Sequence, residues 1–270
     1  MGQGAVNAHA KRAAIVPEDV TKALRSIGVG AGSTVLVHPD AIVAAQFVGV
    51  PVAQRLGALI GAVEAAICPS GTLVIPTFTY SFTKGEQFDM LHTPSAVGMV
   101  SEQFRTLPGV LRSPDPIFSF AARGKLAPEL CAINVKECFG EGSVFALLHR
   151  VNAQIVDLGC SLTRGGTFVH YVEVAHGVAY RYKKEFSGTI VFSDGRRSEN
   201  SVMYHVRDLT RQSAADLRRL QKRLAQEKKL RSVDVGRTRI MAVTANDLFE
   251  TAWKMLDEDS VSLIAEGAEN

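Results

Sequence analysis

Apolar and polar positions fall along this chain in blocks that read alternately as helix and strand. Val20, Leu24 and Ile27 share one face of a helix predicted over Pro17 to Ile27, and Gly28 can end it. Thr34 to His38 is a short apolar run, the pattern of a buried strand. Val52, Leu56, Leu59, Val63 and Ile67 have helical spacing over Pro51 to Ile67, with proline at a permitted first-turn position. Pro69-Ser70-Gly71 then turns the chain into a second apolar strand, Thr72 to Pro76. Strand, helix and strand in that order predict a right-handed parallel unit. Thr77 to Leu91 has no period, and a long loop in a compact domain is commonly functional.

Further on, the spacing predicts a helix over Ser95 to Arg105 and a strand over Ile117 to Ala121. Ser143 can cap a helix through Leu148, Gln154 to Gly159 reads as a strand, and a helix should begin near Thr167. Tyr180 to Lys183 and Thr189 to Phe192 are β-like, and Asp194-Gly195 is a hairpin signal into Ser198 to Val206. Ser213 starts an amphipathic helix to Glu227, Val233 to Val243 reads as one strand, and Thr244 to Asp247 opens a last helix. The sum is an α/β fold: a layered sandwich with a largely parallel central sheet and added antiparallel strands in the C-terminal third. A single domain is expected over residues 13–259, with loose ends at 1–12 and 260–270.

Composition narrows the function classes. Of 270 residues, 46% are hydrophobic and 21% charged, which excludes disorder as the main state. No apolar run approaches the ~18 residues of a spanning helix. The start has no apolar signal region, so a cytoplasmic protein without membrane insertion is expected. A net charge of +3 favours anionic ligands only mildly. The basic run from Arg218 to Arg231 lacks interleaved aromatics, so no nucleic-acid partner is expected. Cys68, Cys131, Cys138 and Cys160 form no CxxC, which predicts reduced thiols and no metal site. No phosphate-binding GxxxxGK[ST] occurs, and Gly28-Val29-Gly30 precedes a strand instead of following one.

The most informative constellation is Thr167, His170 and Glu173. In a helix their spacing stacks a hydroxyl, an imidazole and a carboxylate in one column. An imidazole titrates near neutrality and can take a proton from an attacking amine or hydroxyl. The alternative is a polar helix rim carrying one satisfied histidine among seven. Cys160, after a strand, could instead form an acyl-enzyme, against the commoner state of a half-buried inert thiol. Arg112, Ser113 and the hydroxyl of the Ile117 to Phe120 segment could hold a phosphorylated ligand, or Arg112 could be an ordinary surface arginine.

Several segments in register resemble one family. Gly71 to Thr79 (GTLVIPTFT) is similar to the GTLVMPTFT segment of the aminoglycoside 3-N-acetyltransferases. The resemblance continues through Thr93-Pro94-Ser95, Pro108 to Ser113, Ser119 to Gly124 and Phe139 to Ser143, and ends at Thr167-x-x-His170-x-x-Glu173. It spans about residues 17–210 and implies an acyltransferase with acetyl-CoA or another acyl-CoA as co-substrate. It implies His170 as catalytic base, with Glu173 and Thr167 in support. The cofactor would be held by loops carrying His38, Asp40, Thr77, Arg112, Ser113 and Phe120. The amine substrate would meet Asp89, Glu102, Asp208 and Tyr204. Where the family reads VHSSLS, this chain has Val37-His38-Pro39-Asp40-Ala41-Ile42, which removes a backbone donor and adds a negative charge. That departure and the basic balance predict a biosynthetic enzyme acting on an amino sugar, plausibly nucleotide-linked as in surface-polysaccharide or natural-product biosynthesis. An aminoglycoside acetyltransferase, a Cys160 acyl-enzyme and a non-catalytic binding protein remain alternatives. The long loop and the apolar faces of the C-terminal helices are a candidate homodimer surface.

Overall fold

Apolar runs pair as strands because only a ladder satisfies their backbone groups once both faces are covered. The computed structural model describes residues 14–265, apart from the side chains of residues 164 and 165; the expectation for 1–12 therefore lies outside the described residues. In chain order the elements are α1 (Pro17–Ser26), β1 (Thr34–Pro39), α2 (Ala41–Ala45), α3 (Arg55–Ile67), β2 (Thr72–Pro76), β3 (Phe88–Asp89) and α4 (Met99–Arg105). Then follow β4 (Leu111–Arg112), β5 (Phe120–Gly124), α5 (Ala127–Cys131), α6 (Val144–Arg150), β6 (Gln154–Leu158), α7 (Leu162–Gly165) and α8 (Val169–His176). The last third holds β7 (Arg181–Val191), β8 (Arg197–Arg207), α9 (Arg218–Gln226), β9 (Arg231–Val235), β10 (Thr238–Thr244) and α10 (Ala245–Glu258).

The main sheet has the order β4-β5-β2-β1-β6-β10-β9. At its centre β1 pairs in parallel with both β2 and β6, as the strand–helix–strand reading predicts. Antiparallel strands extend both edges: β5 and β4 from mid-chain, β10 and β9 from the C-terminal third. Alternate residues of the parallel strands enter opposite cores. Val35, Val37, Leu73 and Ile75 meet α1, α3 and α4 through Leu24, Leu59 and Phe104. Leu36, Val74 and Ile155 meet α6, α8, α9 and α10 through Phe145, Val172, Leu224 and Leu248. The chain is thus the expected α/β sandwich. Among the described residues no helix is long and apolar enough to cross a membrane.

A second sheet, β3-β7-β8, is dominated by a hairpin whose strands pair residue for residue from Arg181↔Arg207 to Val191↔Arg197. The two short β-like segments predicted on either side of residue 185 are therefore one strand. The hairpin folds back on the main body, where Tyr204 packs against Phe118 and Phe139.

Other differences are local. The single strand predicted from Val233 to Val243 is two, because Gly236 takes φ +58° and reverses the chain between β9 and β10. Ser213 does not open a helix: its hydroxyl donates to the Asp208 carbonyl, and α9 begins at Arg218. The strand predicted at Ile117 starts later, because the Ile117 and Phe118 amides donate to the buried carboxylate of Asp115 instead of to a ladder. The tail after Asp259 is not loose as far as residue 265. Leu263 is fully buried and Ile264 bridges to Ala215, so its apolar side chains complete the core over α9. Residues 266–270 lie outside the described part.

Candidate active site

The chain leaves β1 toward β2 through α3 on one face of the sheet, and reaches β6 from α6 on the other. Strands that diverge this way open a crevice beyond their carboxyl ends, the usual ligand position in open α/β sheets. Here the crevice is a cavity of about 240 Å³. His38, Pro39 and Asp40 line it from the end of β1, Phe78 and Tyr80 from the loop after β2, Cys160 from the turn after β6, and Thr167 from the turn before α8.

Two backbone features hold this wall. Gly159 has φ +80°, and a Cβ there would lie 2.5 Å from the Val43 side chain, so glycine lets β6 turn away close under α2. Tyr80 has φ +57°, a conformation costing a non-glycine residue about 1–3 kcal/mol, which tends to persist at functional sites. Its ring packs edge-on against Phe118 at 5.7 Å. From there an aromatic wall runs through Phe139, 4.8 Å from Phe118, to the His170 ring, 5.5 Å from Phe139.

At the β1 and β6 ends, the buried Asp157 Oδ1 lies 3.4 Å from His38 Nδ1. That separation is ion-pair range, but its geometry makes no hydrogen bond, and both His38 ring nitrogens are buried without a hydrogen-bonding partner. The Cys160 thiol donates to the His38 carbonyl at 3.2 Å. Burial pushes this thiol well above its ordinary pKa, and the carboxylates of Asp157 and Asp40 add to the effect. A thiolate nucleophile needs the opposite environment, so the acyl-enzyme reading of Cys160 fails on electrostatics. Asp40 caps α2 by accepting the Ile42 amide at 2.9 Å, and its own amide donates to the Leu158 carbonyl at 2.8 Å.

On α8 the predicted column forms. His170 Nδ1 lies 2.7 Å from Glu173 Oε2. Glu173 is fully buried and also accepts from the Tyr180 hydroxyl at 2.9 Å and Arg181 Nε at 2.5 Å. Burial alone would raise its carboxyl, but the His170 charge and hydrogen bond, then Arg181 and Tyr180, hold it below the usual carboxylate range. Arg181 Nη2 also sits 2.9 Å from His170 Nδ1. That nitrogen can donate to the carboxylate or accept from the guanidinium, not both. The carboxylate contact is shorter and selects the tautomer that leaves the Nε2 lone pair free. The His170 side chain is 21% exposed while Glu173 is at 0%, so the imidazole is anchored from behind and open in front. Thr167 lines the cavity; His170, one turn along, borders it without being part of its lining.

Several predicted binding residues do other work. Thr77, Ser113 and Phe120 are buried and cannot touch a cofactor. Thr77 and Ser119 exchange backbone and hydroxyl hydrogen bonds, Ser113 Oγ accepts the Phe120 amide at 2.9 Å, and the Phe120 ring packs on Phe78 and Phe145. Arg112 spends its guanidinium on the carbonyls of Thr77 (2.8 Å) and Thr93 (2.6 Å) and stacks over Phe88. Burial brings its pKa down to about 10, so it remains a cation that ties the 77–93 loop to the sheet edge. Asp89, Glu102 and Asp208 each secure local structure: Asp89 the Leu91 and His92 amides, Glu102 the Ser95 amide and Arg105, Asp208 the Thr210 amide and hydroxyl. Of the four substrate candidates, Tyr204 alone joins the aromatic wall beside His170. Tyr180, Arg181, Tyr80 and Asp157 escaped the sequence reading. Asp157 carried a signal, a carboxylate inside the apolar run Ile155 to Leu158. Among the described residues no group of three or more His, Cys, Asp or Glu is arranged to hold a metal.

An α/β sandwich with a histidine–carboxylate pair bordering the switch-point crevice is a frame suited to acyl transfer, and comparison with known proteins identifies the family. The model of the aminoglycoside 3-N-acetyltransferase family matches residues 36–257. The chain belongs to that family of N-acetyltransferases. It is 29% identical over 241 residues to aminoglycoside N(3)-acetyltransferase IV of Salmonella sp., covering 87% of this chain and 85% of that protein. Solved structures share the fold. Aminoglycoside acetyltransferase AAC(3)-Xa superposes with a TM-score of 0.79 at 20% identity, over 93% of this chain and 96% of its own. AAC-IIIb in a binary complex with CoASH gives 0.76 at 18% identity, over 90% and 97%.

Proposed function

We propose that this protein transfers an acetyl group from acetyl-CoA to an amine of an aminoglycoside, with His170 as general base. The observation that carries the reading is the imidazole anchored by a buried carboxylate beside the cavity, its Nε2 free. The cavity suits the acylated end of the donor: its volume of about 240 Å³ takes a small thioester, Phe78 and Val97 give apolar contact, and His38 and Thr167 offer polar groups. Acetyl-CoA supplies the activated acyl carbon. His170 accepts the proton as the neutral amine attacks, a contribution on the order of 10²–10⁴-fold. Glu173 fixes the tautomer and balances the imidazolium that forms. Thr167 donates its hydroxyl toward the carbonyl oxygen as charge gathers there. Holding amine and thioester side by side removes much of the bimolecular cost.

The acceptor is an aminoglycoside in preference to a nucleotide-linked amino sugar. The basic helix that favoured a diphosphate is already neutralised. Arg218 pairs with Asp216, Arg219 with Asp259, and Arg223 with Glu227 and Glu258. The groups facing the cavity include the carboxylate of Asp40, which suits a polycation. The named relatives point the same way: variants of AAC(3)-IVa are solved with a gentamicin and with apramycin, and AAC-VIa with sisomicin. Thiol release from acetyl-CoA across a panel of aminoglycosides and nucleotide-linked amino sugars tests this. Turnover with aminoglycosides and a singly acetylated product by mass are expected; turnover confined to nucleotide sugars would overturn it.

A further inference from the structure

The mechanism above leaves one imidazole unused. His38 is 10% exposed, faces the cavity, and has no hydrogen bond at either ring nitrogen. Buried polar groups are almost always satisfied, and a buried N–H with no acceptor costs about 1–3 kcal/mol, which a ligand acceptor recovers. Behind the ring lies Asp157, 3% exposed and 3.4 Å from Nδ1. A buried carboxylate calls for a compensating charge, and among the described residues the ion-pair partner of Asp157 is His38. That pairing favours an imidazolium with Nε2–H directed into the cavity. The cavity also reaches Thr167, one turn before His170 on the same column, so the two imidazoles flank one space from opposite sides.

Resting on the acetyl-transfer reading, we propose that His38, held by Asp157, is the acid of the reaction. The N–C bond forms and the C–S bond breaks. The C–S electron pair goes to sulfur, which takes the proton from His38 Nε2 and leaves as a thiol. The amine's proton goes to His170. His170 then returns a proton to solvent and His38 regains one, so the cycle closes without another reactant. The other titratable groups facing His38 are Asp40, Cys160 and Tyr80. The thiol of Cys160 and the phenol of Tyr80 are both pushed upward by burial, so neither competes as the donor near neutrality.

His38→Gln keeps a polar side chain of similar reach that cannot deliver a proton. Expected are acetyl-CoA binding within about threefold by titration calorimetry, kcat lowered on the order of 10²-fold, and loss of the alkaline limb of the pH profile. His38→Ala should regain activity with added imidazole. Near-wild-type kcat, or a lowered kcat with the alkaline limb intact and no imidazole rescue, would overturn the assignment. If His38 variants do not fold, Asp157→Asn serves, with unchanged kcat as the contrary result. If the wild type acetylates no aminoglycoside, the substrate reading fails. The same variants are then compared on hydrolysis of acetyl-CoA, which breaks the same C–S bond, with the same two outcomes.

Discussion

Glu173 shows how much one buried side chain can be asked to do. It takes a proton-bearing nitrogen from His170, a phenol from Tyr180 and a guanidinium from Arg181, with no solvent contact of its own. Removing its charge leaves Arg181 buried and uncompensated, a loss of about 3–5 kcal/mol. Glu173→Gln should therefore unfold at markedly lower urea and lose kcat, since the acceptor that fixes the His170 tautomer is weakened. The pH dependence has a definite sign. A carboxyl held below its unfolded value of 4.5 contributes stability that is present above that pH and is lost as pH falls through the folded value. The gap in stability between wild type and Glu173→Gln should be widest near neutrality and shrink in acid. A constant gap from pH 7 to pH 3 would contradict this account of the carboxylate.

At the level of elements, the site depends on how three strands end. β1 finishes in His38-Pro39, β2 runs on into the strained turn at Tyr80, and β6 finishes against Gly159. Gly159→Ala meets both a left-handed φ and the Val43 side chain, a cost of about 1–2 kcal/mol or more. It should lower the urea midpoint and reduce kcat together, because Cys160 and Asp40 border the cavity on either side of that turn. An active variant of unchanged stability would argue that β6 does not set the site. The strands and amphipathic helices were legible from periodicity, and so was the Thr167–His170–Glu173 column, because helical spacing fixes which side chains share a face. Tyr180 and Arg181 were not legible. They reach Glu173 only because β7 starts where the hairpin folds back, a tertiary relation no local pattern encodes. The Arg112-Ser113 segment misled for a related reason: its polar atoms, read as free to bind a ligand, are consumed by carbonyls and amides of neighbouring loops.

For the molecule as a whole, the balance of charge matters less than where charges sit. The net +3 favoured an anionic substrate, yet the arginines of α9 are matched by carboxylates from their own helix end and the C-terminal segment. What remains at the crevice is a pair of imidazoles, each backed by a carboxylate, on either side of a cavity at the sheet's switch point. The family match accounts for the frame, and the two pairs account for how an amine proton and a leaving thiol can both be managed there. The most direct test is the rate of thiol release from acetyl-CoA, at saturating aminoglycoside, by wild type and His170→Ala, with melting temperature and acetyl-CoA affinity measured alongside. The account predicts a fall in kcat on the order of 10²–10⁴-fold with folding and donor binding retained. Turnover equal to wild type in a folded His170→Ala protein would contradict it.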